Sequence, residues 1–250
     1  MDSAIYRKLK ETAVRTAESI GLPAFYSECT RELAISASYF LKGKVLHDCR
    51  SHIDESKLHP AHGIPHCEKV AIEAGAVLLL ESEANGHHGA GTEEMMRSVQ
   101  IAGLLHDITR RGKDHSITGS IEAGRILEKF DITERHKGYI TAAIRNHEAF
   151  RDVLVSHDES AKLISDSLYD ADKFRWGPDN FTTTLWLMVE SSGTSSESLF
   201  LTFREKMKGI TRIKDTFRSE TGRRYGPEFI DFGIEIGNRI YQEMEKIIGD

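Results

Sequence analysis

The stretch MMRSVQIAGLLHDIT, residues 95–109, sets Met95, Val99, Ala102 and Leu105 at helical spacing and finishes on the pair His106 and Asp107. An imidazole beside a carboxylate on an otherwise buried helix is costly unless something binds both, and a metal ion does so. Upstream lies His66, in HGIPHCEKV, and downstream lie His115, His147 and Asp172, in KDHSITGS, IRNHEAF and YDADKF. Neutral nitrogen and anionic oxygen donors are thus spread over five helical segments. The set reads as a catalytic metal centre.

Working outward, nearly every segment carries helical rather than alternating periodicity, so the expected class is all-α. Residues 3–20 read as an amphipathic helix stopped by Gly21. Pro23 suits the first turn of a second helix, and Gly43 separates that one from a third ending near Glu55. PAHGIP, residues 60–65, is unfit for regular helix, which puts a helix start at Pro65 and His66 in its first turn. NGHHGAGTEE reads as a loop and TRRGKDHS as another; Asp131 with Glu134 resembles a helix cap, and further helices are expected over 159–172, 181–190, 197–217 and 227–248. The expected architecture is a single-domain helical bundle. Residues 1–58 form an N-terminal cap, 59–192 the metal-binding core, and 193–250 helices packed on that core.

A chain of 250 residues, 39% hydrophobic, is long enough for one full core. Its formal charge of -6, from 39 acidic against 33 basic residues, comes without a long basic block, which disfavours a nucleic-acid polymer as partner. A small phosphorylated substrate needs only a local basic patch. Cys29, Cys49 and Cys67 form no CxxC pair and fit reduced thiols; no signal-peptide pattern opens the chain, and its apolar runs are too short to span a bilayer. A soluble, cytoplasmic protein without membrane partners is the expectation, with homodimerisation through the terminal helices left open.

Manganese, iron, cobalt, nickel and zinc accept mixed imidazole and carboxylate ligands, whereas magnesium and calcium prefer oxygen. One or two divalent transition-metal ions are therefore expected. His66, His106, Asp107 and Asp172 make a four-ligand set, and His115 and His147 hold a second ion if Asp107 bridges the two. A pair of ions lowers the pKa of a bound water and clamps attacking and leaving oxygens, so hydrolysis at phosphorus is the natural use.

These residues resemble the HD-domain superfamily of metal-dependent phosphohydrolases, whose pattern is H…HD…D on an all-helical scaffold. HCEKV is similar to its first-histidine motif, LLHDI to its signature dipeptide, and DADKF to its final aspartate, here Asp172. Members with two metals add two histidines between the HD pair and the last Asp. His115, with Gly119 four positions on, and His147 are similar to these, although some such members carry His-His where this chain has Asn146-His147. The tail FRSETGRRYGPEFIDFGIEIGNRIYQEM also looks like that of some bacterial members. The resemblance implies hydrolysis of a nucleotide or other small phosphate ester, with Asp107 or Asp172 orienting the water and Lys173 near the substrate phosphate.

Lys69, Arg110, Arg111, Lys113, Arg145 and Lys173 supply cations for phosphate oxygens, and His62 is a candidate to protonate a leaving group or orient phosphate. Taken singly, each has an ordinary role as a solvated or hydrogen-bonded residue, and only the ordered set of ligands changes the odds. Asp170 reads as a helix cap, Cys67 and the aromatic residues Phe174, Trp176 and Trp186 as core, and His87 and His88 as exposed. Two rivals remain: an HD-fold di-iron oxygenase, and a nucleotide-binding regulatory module without turnover.

Overall fold

The computed structural model describes residues 3–86 and 89–248; His87 and His88 lie outside the described residues. The fold is all-α, with twelve α-helices and no strand among the described residues. They are α1 (Ser3–Ile20), α2 (Ala24–Glu28), α3 (Thr30–Lys42), α4 (Lys44–Ser51), α5 (Ile64–Ala84), α6 (Ala90–Leu105), α7 (His115–Leu127), α8 (Glu134–Asn146), α9 (Glu159–Phe174), α10 (Leu185–Ser192), α11 (Ser196–Ile213) and α12 (Glu220–Ile248). PAHGIP holds a 3-10 turn, Pro60–His62, and a π-helical turn, Asn180–Thr184, leads into α10.

Contacts divide the chain into two units of discontinuous segments. One comprises residues 28–172 with 217–224, and the other residues 1–27, 173–216 and 225–250. The first has a core drawn from α3 to α9, including Leu78, Ile101, Leu104, Leu105, Ile140, Ile144 and Leu168, all with no exposed surface. Gly103 lets two helices of this unit meet backbone to backbone, since a Cβ there would fall 2.6 Å from the Cα of Ala71. That approach brings α5, which carries His66, against α6, which ends at His106. Gln100 on α6 donates to Ser36 O at 2.8 Å and Ser36 Oγ at 2.9 Å, while Ser36 Oγ donates to Ile72 O at 2.7 Å, so one buried network ties α3, α5 and α6. In the second unit the rings of Phe174 and Phe229 stack 4.3 Å apart, Phe25 packs 5.1 Å from Phe174, and Tyr6 donates to Thr194 O at 2.6 Å.

Several boundaries differ from the sequence reading. The second expected helix is broken at Cys29 into α2 and α3, and the third stops at Ser51 rather than near Glu55. Helix α6 begins at Ala90, inside the expected loop, and the cap of α8 is Thr133 rather than Asp131, its hydroxyl accepting from His136 N at 3.3 Å. The largest difference is α12, expected from Pro227 but begun at Glu220, with Pro227 inside it. Distant acids stabilise that early start. Asp170 accepts from Arg218 N and Ser219 N, each at 2.8 Å, and Glu81 accepts from Thr221 N at 2.7 Å, satisfying amides that a helix start leaves free. Only glycine fits at position 222, because a Cβ would fall 2.0 Å from Asp170 Oδ2.

Candidate metal centre

His106 and His147 occupy equivalent places, each the residue that closes a helix, α6 and α8 respectively. Each turns its Nδ1–H back onto the carbonyl three residues earlier: His106 to Gly103 O at 2.7 Å and His147 to Ile144 O at 2.6 Å. The bond fixes the orientation of each ring and, in the neutral imidazole, leaves Nε2 as the atom with the lone pair. Carbonyl-rich helix ends also favour a nearby positive charge. His66 comes from the first turn of α5, His115 from the start of α7 after Asp114 in a left-handed conformation (φ 49), and Asp172 from the last turn of α9.

These five elements bring the ligand atoms together around Asp107. On its Oδ2 side, His66 Nε2 and His106 Nε2 stand 3.2 Å apart, at 3.7 and 3.4 Å from Oδ2 and at 3.7 and 3.6 Å from Asp172 Oδ1. On its Oδ1 side, His115 Nε2 and His147 Nε2 stand 3.2 Å apart, at 3.6 and 3.5 Å from Oδ1. Donors placed tetrahedrally about 2.1 Å from one ion lie about 3.4 Å from each other, which is the scale of both sets. Asp107 Oδ1 is buried without a hydrogen-bond partner, a costly arrangement that a cation would relieve. The His/Asp groups can hold a metal ion.

The electrostatics agree. Burial and the neighbouring His106 push His66 down to about 3, whereas His106, against the same burial, is raised to about 10 by Asp107 and Asp172. Asp107, in spite of burial, is held well below the carboxylate range by His106 and the histidines around it. In the metal-free chain a proton on His106 therefore lies between two carboxylates, where a metal cation would bind in its place.

Other expected residues are placed less uniformly. His62 Nδ1 lies 2.8 Å from Asp107 Oδ2, and with His66 and Asp107 it makes a further group of donors that can hold a metal ion. Arg110 Nη1 touches His115 Nε2, and with burial it lowers that imidazole to about 4. Arg111 Nε donates to Leu58 O at 2.9 Å and so fastens the loop after the HD pair. Lys69 is half-buried on α5, one turn after His66; Arg145 is half-buried on α8; Lys113 is exposed, and Lys173 is buried on α9. Asn146 donates to Leu154 O at 3.0 Å and accepts from Leu154 N at 2.9 Å, which fits a loop-holding role. Asp170 caps α12, and Cys67 is fully buried.

Glu148 is the residue that sequence reasoning missed. Its Oε2 lies 3.9 Å from His115 Nδ1 and accepts from Ser116 Oγ at 3.1 Å, while Oε1 accepts from Arg151 Nε at 3.2 Å. An acid directly after a ligand histidine is too common a pattern to have flagged it. Compared with protein-family models, curated proteins and solved structures, the chain matches none of them.

Proposed function

We propose that this chain is a metal-dependent phosphohydrolase that cleaves a nucleotide or another small phosphate ester with a pair of divalent transition-metal ions. The observation that carries the reading is the sharing of Asp107 between two donor sets: its Oδ2 faces His62, His66 and His106, the last two also facing Asp172, and its Oδ1 faces His115 and His147. Imidazole-rich sets of this kind suit manganese, iron, cobalt, nickel or zinc. Bound there, the ions supply a water of lowered pKa and charge stabilisation at the phosphoryl oxygens.

The chain's own groups do the rest. Asp107 and Asp172 orient the water, and the carbonyls of Gly103 and Ile144 keep the imidazoles of His106 and His147 aimed at the centre. His62, whose Nδ1 stands beside Asp107, is the group that passes a proton to the leaving oxygen in this reading. Lys69, one turn after His66 on the same helix, supplies positive charge for substrate phosphate. Three buried cysteines outside any disulfide fit a reducing compartment such as the cytoplasm, and no helix among the described residues is long and apolar enough to cross a membrane.

The test is a hydrolysis screen of nucleotides and simple phosphate esters against manganese, iron, cobalt, nickel and zinc, beside elemental analysis of protein purified without added metal. Phosphate release that chelation abolishes and metal restores is the expected result. Oxygen uptake with a mixed-valent iron signal would transfer the centre to oxygenation, and nucleotide binding without product would make it a regulatory module.

A further inference from the structure

Away from the ligands, one cation of the same unit is held on an aromatic ring and forms no ion pair among the described residues. The guanidinium carbon of Arg218 lies 3.5 Å from the ring centroid of Tyr169, and its Nη1 is buried with no hydrogen-bond partner. An unpaired buried donor on a charged group is costly to maintain. The nearby acids of α9, Asp166 and Asp170, attract it through space, but their oxygens are bonded elsewhere. Asp170 commits Oδ1 to Arg218 N and Oδ2 to both the amide and the hydroxyl of Ser219, and Asp166 pairs with Lys162 at 2.7 Å. Those same bonds, with Thr221 N on Glu81, pin the backbone that carries the arginine. Tyr169 and Asp172 stand three residues apart on α9, on one face and about 4.5 Å apart along the axis. The stacked guanidinium is therefore held on the helix face that also presents a ligand of the metal centre.

We infer that Arg218 is an anion subsite that binds a phosphoryl group of the substrate through its free guanidinium edge, with Tyr169 as the platform that fixes its plane. A planar fork held on an aromatic face is preorganised for two parallel hydrogen bonds to phosphate oxygens. The inference rests on the phosphohydrolase reading, and it extends phosphate recognition to a residue that the ordered metal motif does not contain.

Inorganic phosphate is the probe, titrated into the full chain by calorimetry with zinc and, separately, with chelator. In both conditions Arg218→Gln is expected to weaken phosphate binding at least about tenfold while leaving zinc content unchanged. Arg218→Gln binding within twofold of the parent overturns the subsite. A measurement that needs no variant guards against misfolding: phosphate should protect Arg218 of the parent chain from phenylglyoxal, read by peptide mass, and equal modification with and without phosphate overturns the inference. Neither readout involves turnover, so a parent chain that binds phosphate at Arg218 but hydrolyses no ester refutes the phosphohydrolase reading and leaves the anion site standing.

Discussion

On the Oδ2 side of Asp107 stand three imidazoles, His62, His66 and His106, and the last two also meet a second carboxylate, Asp172, whereas on the Oδ1 side two imidazoles meet Asp107 alone among the metal-holding groups of the described residues. The second set also has a competitor, because Arg110 lies against His115 Nε2. A cation bound beside Asp172 gains the attraction of another anion; one bound beside His115 has to displace a guanidinium. The difference teaches that one ion should bind tightly and the other more weakly and exchangeably, although both share a carboxylate.

Removing what the two sides share should have the largest effect. Asp107→Ala is expected to lose both ions and to cut hydrolysis by at least about 100-fold, measured by elemental analysis beside phosphate release. Retention of two ions by this variant would end the shared-carboxylate account. His147→Ala should separate the sides, keeping one equivalent of metal and losing the other, with hydrolysis down about 10- to 100-fold. If both equivalents were lost, the sides would not be independent.

The proton on His106 gives the Oδ2 side a pH signature. Its folded pKa of about 10 lies above the ordinary imidazole value of 6.5, so the proton must leave when metal binds, and His66, held down near about 3, adds none at neutral pH. Affinity for the first ion should rise about tenfold per pH unit between pH 7 and 10, with one proton released. Calorimetry at pH 8 in buffers of unlike ionisation heat measures this, and zero proton release contradicts it. By the same linkage, the raised His106 stabilises the metal-free chain fully below pH 6.5, and that contribution is lost as pH rises through about 10.

Arg110→Gln should narrow the contrast by tightening the second ion about tenfold while the first is unmoved, read from a two-site binding isotherm. Ser116→Ala, which frees Glu148 Oε2 near His115, should weaken the second ion only about twofold to threefold. A larger effect at the first ion than at the second would place Glu148 wrongly.

Much of the candidate centre was legible because its donors are types that rarely sit on apolar helices without a partner, and because they recur in order along the chain. The i, i−3 carbonyl contacts of His106 and His147 were not, since they depend on where each helix ends. Arg110 read as a phosphate-loop cation, and only the fold sets it against His115. The start of α12 was misread at Pro227 because proline marks a first turn locally, while the acids that satisfy the true first turn, Asp170 and Glu81, come from far along the chain.

The sequence by itself determined the helical class, through the spacing of its apolar residues, and the inventory of donors, through their chemistry. Both are properties of short windows. Only the tertiary structure decided that Asp107 divides its oxygens between two sets, that Glu148 stands behind His115, and that Arg218 rests on Tyr169 with a donor to spare. The physical reason is that such relations depend on distances of a few ångströms between residues tens of positions apart, which packing sets and local pattern does not encode.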